Sequence, residues 1–241
     1  MLQGYEVALV EGALVTLKVA LGSLLLALLL GLTGALAKLS PIKPLRWLAT
    51  GYTTVIRGIP DLILMMLIFF GGQVLLNNSL AAFQEWVSDS AFQDSWLNSI
   101  PDYIEVSPFI AGILTIGFIF GAYMTETFRG AILAVDKGEL EAARAYGMNS
   151  ALVLRRVLLP QLMRHALPGL GNNWLVLLKT TALVSIIGLD DMVRKASLAA
   201  GATQLPFTFY FAVALVFLLF TAISSSLLSW AERHYALAPR A

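Results

Sequence analysis

Residues 19–37 read VALGSLLLALLLGLTGALA, with no charged side chain between Lys18 and Lys38. An α-helix rises about 1.5 Å per residue, so this stretch is about 28 Å long, close to the roughly 30 Å hydrocarbon core of a bilayer. Similar apolar runs recur along the chain and predict membrane spans at about 14–38, 52–76, 106–130, 166–188 and 207–231. We therefore expect an all-α integral membrane protein with five transmembrane helices, forming a single domain over 1–241 with a core at about 12–233.

The composition excludes other broad classes of protein. Hydrophobic residues make up 58% of the chain and charged residues only 13%, whereas a soluble domain carries roughly 45–50% and about 25%. The mean hydropathy is +0.78, so the chain can neither form a charged soluble surface nor remain disordered. The net charge of +1 provides no basic field for nucleic acid, and the absence of cysteine with only two histidines argues against thiol chemistry and a metal site.

The distribution of basic residues predicts the orientation in the membrane. Twelve of the 16 Lys and Arg residues lie in segments 38–57 and 129–165 and in the C-terminal tail, whereas segment 73–107 has acids but no Lys or Arg. Because cytoplasmic loops carry the excess of basic residues, the N-terminus is expected outside and the C-terminus in the cytoplasm. The outer loop at 77–105 mixes acids with aromatic residues, which fits either an interfacial aromatic belt or a docking rim for an external partner.

The loop at 136–160 reads DKGELEAARAYGMNSALVLRRVLLP. Glu141–Tyr146 is a strong helix former, and Gly147 can adopt the left-handed conformation that ends a helix. A second short helix is expected from Ala151 to Leu159, ending at Pro160 because proline cannot continue the hydrogen-bond ladder. The first helix is expected to present the small side chains of Ala142 and Ala143 outward. The loop could be a docking element for another protein or an ordinary amphipathic linker.

The spacing within this loop resembles the signature of ABC importer permeases, with valine where that family has isoleucine. The residues that carry the resemblance, and that it implies dock on a separate ATPase, are Glu141, Ala142, Ala143, Gly147, Val157, Leu159 and Pro160. Further stretches are similar to the polar amino-acid family of these permeases, and to its Q-type subunits for histidine, lysine, arginine and ornithine, or opines. They are Arg57-Gly58-Ile59-Pro60-Asp61-Leu62, Phe118–Tyr123, Tyr123–Gly130, Gly171–Trp174 and Lys179–Leu183.

This resemblance implies the type I ABC importer transmembrane fold and a multi-pass subunit of the cell inner membrane that forms half of a translocation pathway. It also implies the partners: a related M-type membrane subunit, two ATPase subunits, a periplasmic substrate-binding protein and membrane lipid. The chain contains no phosphate-binding G-x-x-x-x-G-K-[ST] motif, so ATP and Mg²⁺ are expected on the ATPase, with no cofactor on this chain. An ion channel would have no use for an ATPase dock, and an intramembrane enzyme would need a nucleophile with a base inside the spans, so neither is favoured.

Ionisable residues inside the predicted spans are candidate functional residues, because each costs at least about 2.5–3.5 kcal/mol in the bilayer. Asp61, Glu126 and Lys179 are the candidates for the substrate pathway. A structural network is the alternative, in which Arg57 pairs with Asp61 one helical turn away and Glu126 pairs with Arg129. In the pathway interpretation, Asp61 neutralises a cationic substrate side chain.

Polar residues in the fourth predicted span form a stripe at helical spacing. They are Asn172, Asn173, Thr180, Thr181 and Ser185. A polar stripe inside a membrane must face protein or water, so it either lines the pathway or makes hydrogen bonds between helices. Glycines at 22, 31 and 34 in the first span, and at 112, 117 and 121 in the third, are expected to form close helix-packing faces.

Overall fold

The computed structural model describes residues 2–88 and 101–235, and all the regular secondary structure in these ranges is helical. Ten α-helices are described. They are α1 (Glu6–Leu39), α2 (Lys43–Gly58), α3 (Asp61–Met66), α4 (Gly72–Ser88), α5 (Pro108–Ala134), α6 (Lys137–Ala145), α7 (Ser150–Val153), α8 (Leu159–Thr180), α9 (Met192–Thr203) and α10 (Pro206–Tyr235). Short π-helical turns at Leu67–Gly71 and Leu154–Leu158 join α3 to α4 and α7 to α8, and a 3-10 turn at Thr181–Ser185 extends α8.

The core of the subunit is the seam between α1 and α5, and the expectation that glycines form this seam is confirmed. Contacts recur every four residues along both helices, so the two helices run parallel. The contacting pairs are Gly22 with Ile113, Leu26 with Gly117, Leu30 with Gly121 and Gly34 with Thr125. At Gly121, an added Cβ would lie 2.8 Å from the Cβ of Leu30, so the absence of a side chain is what allows the backbones to approach.

The other long helices alternate in direction around this seam. Gln73 and Asn77 of α4 bind the backbone N–H groups of Val106 and Ile104, just before α5 begins, while Asp61 at the other end adjoins Tyr123. The α3–α4 segment is therefore antiparallel to α5. α8 is antiparallel to α5, because Thr127 lies against Gly169 and Gly112 lies against Val184.

α10 is parallel to α1. Leu9 and Val213 line one lateral cavity between them, and Leu28 and Leu228 line a second one further along both helices.

Within residues 2–88 and 101–235, four helical segments are long and apolar enough to cross a membrane: Glu6–Leu39, Asp61–Trp86, Pro108–Ala134 and Pro206–Tyr235. The predicted span at 166–188 is helical through Ser185 but is more polar than these four. The predicted span at 52–76 is not one helix, because α2 ends at Gly58 and α3 begins at Asp61.

The break between α2 and α3 follows from Pro60. A residue before proline is pushed out of the helical region, and Ile59 accordingly adopts φ −112° and ψ 140°. The second long apolar helix therefore begins about nine residues later than predicted, at Asp61. It also continues to Ser88, so the first part of the predicted outer loop at 77–105 is helical. Residues 89–100 of that loop lie outside the described residues.

The start of α9 is capped by a buried acid, and the backbone N–H of Met192 beside it donates a hydrogen bond of 3.3 Å to Thr16 of α1. The Oδ1 atom of Asp191 caps α9 by accepting a hydrogen bond of 2.9 Å from the backbone N–H of Arg194. Its side chain is fully buried, and its Oδ2 atom makes no hydrogen bond with any described residue. Burial raises the pKa of Asp191 to about 6, although the backbone N–H groups around it act in the opposite direction.

Candidate functional site

In the loop that resembles the family signature, helix α6 is capped by hydrogen bonds at both ends. Asp136 caps the start of α6, since its side chain accepts a hydrogen bond of 2.8 Å from the backbone N–H of Gly138. At the other end, the N–H of Gly147 donates to Arg144 and the N–H of Met148 donates to Ala143. This paired arrangement is a Schellman cap, and it places Gly147 at φ +80°.

The chain continues from this cap as one helical run into α8. Asn149 caps α7 by accepting a hydrogen bond of 2.9 Å from the N–H of Leu152. The prediction that the second loop helix ends at Pro160 is wrong, because helical residues continue through Leu154–Leu158 into α8. The wider π turn lies immediately before Pro160, where the missing N–H and the proline ring disturb the regular α-helical ladder.

The exposed face of α6 differs from the predicted one at Ala143. Ala142 is exposed as expected and Glu141 is exposed as well, but Ala143 is only 6% exposed. Ala143 follows the half-buried Leu140 by three residues, so both lie on the helix face that packs against the rest of the chain. Tyr146, which was not among the predicted docking residues, is 87% exposed directly before Gly147. An exposed aromatic ring beside a helix cap is a suitable contact for another protein.

The last three signature residues lie where this loop enters α8. Val157 is half-buried, whereas Leu159 and Pro160 are exposed. The loop thus offers an exposed, hydrogen-bonded surface at one end of the helix bundle, with an apolar rim.

Glu126 on α5 is the centre of a closed charge cluster. One carboxylate oxygen binds the ammonium group of Lys38 and the other binds Arg129 at 2.9 Å. Lys38 also donates a hydrogen bond of 2.8 Å to the Oγ1 atom of Thr53 on α2. The expected pair of Glu126 and Arg129 is present. Lys38 was missed, since it lies 88 residues away in sequence and was read only as the boundary of a span. Both oxygens of Glu126 are used within the subunit, so this cluster ties α1, α2 and α5 together.

Arg57 and Asp61 form a different arrangement from the one predicted. No ion pair joins them in the part of the chain that the structure describes, so the predicted ion pair between Arg57 and Asp61 is wrong. Instead, the guanidinium carbon of Arg57 lies 5.5 Å from the centroid of the Tyr123 ring, and the Tyr123 hydroxyl adjoins the Asp61 carboxylate. Because the chain breaks at Ile59, the helical-turn relation on which the pairing was based does not exist.

The polar stripe of the fourth predicted span divides into two faces. Asn172 and Lys179, seven residues apart, are both exposed, and Lys179 makes no ion pair among the described residues. Asn173 lies on the other face and donates a hydrogen bond of 3.0 Å to Thr127 of α5.

The hydroxyl groups of this segment bind the backbone of their own turn. Thr180 donates to Val176, Thr181 to Leu178 and Ser185 to Ala182, at 2.7–3.0 Å. Thr180 and Thr181 are buried and Ser185 is half-buried. Asn173, Thr180 and Thr181 thus serve helix packing in this subunit, whereas Asn172 and Lys179 remain available to water or to another chain.

The fold and these surfaces define the class: an all-helical membrane subunit with a structured loop at one end and charged residues along its inner helices. A family model described as "Binding-protein-dependent transport system inner membrane component" matches residues 12–236. The chain belongs to this family and is therefore a multi-pass inner-membrane component, as the resemblance of the loop implied.

Permeases of known transport systems are similar to this chain over nearly its whole length. The histidine/lysine/arginine/ornithine transport system permease protein HisQ of Salmonella typhimurium is 48% identical over 237 residues, covering 98% of this chain and 97% of that protein. The octopine transport system permease protein OccQ of Rhizobium radiobacter is 41% identical over 229 residues, covering 95% and 90%.

The fold is also found in solved transporters. A crystal structure of an amino acid ABC transporter with histidines has a chain that matches with a TM-score of 0.74 and 34% identity over 95% of each chain. An inward-facing structure of the MetNI methionine ABC transporter matches with a TM-score of 0.68 at 16% identity, which is a similarity of fold alone.

Proposed function

We propose that this chain is the permease subunit of an ATP-driven, binding-protein-dependent importer of cationic amino acids: histidine, lysine, arginine and ornithine. The observation that carries the proposal is the 48% identity to a permease of that substrate class over 98% of the chain. The subunit has no catalytic role of its own. A separate ATPase binds ATP and Mg²⁺, and a periplasmic protein delivers the substrate.

The subunit crosses the membrane five times, with its N-terminus outside and its C-terminus in the cytoplasm. The alternating directions of α1, α3–α4, α5, α8 and α10 support five crossings, with the more polar α8 as the fourth. The excess of Lys and Arg on the loops at 38–57 and 129–165 supports the orientation. The polar α8 is shielded from lipid by α5 and α10 on one side and by a second, related membrane subunit on the other.

Coupling to the ATPase runs through α6 and the Gly147 cap. The exposed Glu141, Ala142 and Tyr146 support this role, because they form a rigid surface that a partner can push without first ordering it. Two such membrane subunits, each with one loop, would engage two ATPase subunits.

The test is reconstitution of the complete transporter from genomic neighbours in proteoliposomes, with uptake of labelled arginine, histidine and octopine. We expect arginine and histidine to accumulate in an ATP-dependent manner. Glu141→Lys should abolish uptake while the subunit remains in the membrane, whereas the matched control Glu232→Lys, an exposed acid on α10, should transport normally. Failure of the complete complex to transport any of the three compounds would refute the proposal.

An opine permease is the second candidate, because OccQ is similar over most of the chain. Octopine contains the guanidinium group of arginine and one additional carboxylate. The same uptake assay separates the two functions, because accumulation of octopine without arginine would favour an opine permease.

A further inference from the structure

The break between α2 and α3 places three functional groups of different chemistry beside one another. Arg57 lies in the last turn of α2, Asp61 begins α3, and Tyr123 of α5 lies against both. The guanidinium group faces the Tyr123 ring at 5.5 Å, a distance at which a cation is attracted to an aromatic face. The hydroxyl of the same ring adjoins the Asp61 carboxylate.

The neighbouring Glu126 cluster shows what a structural ion network looks like in this subunit. Each carboxylate oxygen of Glu126 has its own basic partner, Lys38 or Arg129. Among the described residues, Asp61 has no basic partner within ion-pair distance, and Arg57 has no acidic one. Asp61 therefore keeps acceptor capacity that a guanidinium or ammonium group could use.

The break between the two helices also fits a substrate site. Substrate sites of transporters are commonly formed at discontinuous helices. The group lies toward the end of α1 that carries Lys38, because Gly34 of α1 contacts Thr125, two residues after Tyr123. Arg57 is exposed on this subunit, and a charge beside a membrane-spanning helix must face a water-filled pathway or another subunit rather than lipid.

We propose that the Tyr123 ring and the Asp61 carboxylate form the recognition site for the cationic side chain of the substrate, and that Arg57 occupies the ring face when no substrate is bound. The substrate side chain displaces Arg57, which is an internal competitor of the same chemical type. This inference rests on the proposed function and assigns Tyr123 as a specificity-determining residue within it.

The competition gives each residue a different expected effect. Removal of Arg57 frees the ring and should tighten binding of a cationic substrate, whereas removal of the ring should weaken it. A cation over an aromatic ring accounts for roughly a 2- to 30-fold change in affinity, depending on how far the pair is desolvated. A neutral molecule of the same shape should be affected by neither change.

The experiment measures equilibrium binding of labelled arginine and of citrulline, its uncharged isostere, to the purified complete membrane complex without the binding protein. We expect Arg57→Gln to tighten arginine binding roughly 2- to 30-fold and Tyr123→Leu to weaken it by a similar factor. Tyr123→Phe keeps the ring and should lie closer to the wild type than Tyr123→Leu. Citrulline binding should stay within about twofold throughout, and Tyr210→Leu on α10 is the control for loss of a tyrosine elsewhere.

Weaker arginine binding in Arg57→Gln, or equal changes for arginine and citrulline, would overturn the inference. If Tyr123→Leu does not assemble with the ATPase, Arg57→Gln and Tyr123→Phe decide the question. A wild-type complex that transports arginine but whose affinity is insensitive to all three variants refutes only this inference. A wild-type complex that neither binds nor transports arginine refutes the proposed function as well.

Discussion

Substitutions of Gly147 should reduce ATP-driven transport to different extents, and their order should follow the cost of the backbone conformation rather than the size of the new side chain. Gly147 has φ +80°, a conformation that costs an ordinary L-residue roughly 1–2 kcal/mol and that asparagine tolerates better. A Cβ at this position would meet no atom of the described residues within 4 Å. Backbone strain is therefore the penalty that the described part of the subunit imposes.

Backbone strain at position 147 should reduce docking of the ATPase and therefore ATP-driven uptake. If the cap must keep its present form when the ATPase docks, 1–2 kcal/mol reduces the docked population about 5- to 30-fold for Gly147→Ala. Gly147→Val should lose more, because a β-branched residue is strongly disfavoured at positive φ. Gly147→Asn should retain most of the coupling.

The assay is ATP-driven uptake in proteoliposomes, with the amount of ATPase that co-purifies with the membrane subunits as a second measurement. Gly130→Ala, on α5, is the matched control and should transport normally, because its φ is not positive and no described atom lies within 4 Å of an added Cβ. Activity that follows side-chain volume, with Gly147→Ala above Gly147→Asn, would refute the reasoning. It would mean that the partner's surface, and not the backbone, constrains this position.

Three further outcomes are expected. Gly12→Ala should destabilise the purified subunit by about 1–3 kcal/mol in thermal unfolding, because the new Cβ would lie 2.7 Å from the α9 backbone; Gly51→Ala, in open space, should not. Burial raises the pKa of Asp191 from 3.8 to about 6, so the protein should lose about 2 kcal/mol of stability as the pH rises from 4 to 6. Asp191→Asn should flatten that slope, and an unchanged slope would contradict the assignment. Since the chain has no cysteine, an impermeant thiol reagent added outside should label Ser107→Cys and not Ser150→Cys; the reverse pattern would invert the topology.

The parts of the fold that the sequence predicts correctly are those governed by local rules. The glycines of α1 and α5 recur at helical spacing in apolar segments, and such residues are useful in a membrane mainly for close packing. Gly147 follows a strong helix former, where a left-handed cap is the common ending. In both cases the required chemistry lies within one or two helical turns.

The misses have two physical origins. The break at Ile59 had a local signal, the following proline, but the apolar run on both sides was taken as one span. The role of Lys38 had no local signal, because its partner Glu126 lies on another helix and only the parallel packing of α1 and α5 brings them together. Ala143 was predicted to be exposed, but it lies on the same helix face as Leu140, three residues earlier, and that face packs against the rest of the chain.

Glu126 and Asp61 differ in their partners: Glu126 pairs with two basic side chains, whereas Asp61 pairs with none among the described residues. This difference supports a structural role for Glu126 and a separate role for Asp61. An unpaired carboxylate in the membrane costs at least about 2.5–3.5 kcal/mol, and a basic residue four positions earlier would offset that cost in a continuous helix. Arg57 occupies that position, but the break at Ile59 removes the helical relation, and the guanidinium group lies on Tyr123 instead. A chain under pressure for stability alone would gain by pairing the two charges, as it does at Glu126 with both Lys38 and Arg129. An acid left without a basic partner beside an aromatic ring instead supports the proposal that the cationic side chain of the substrate binds there.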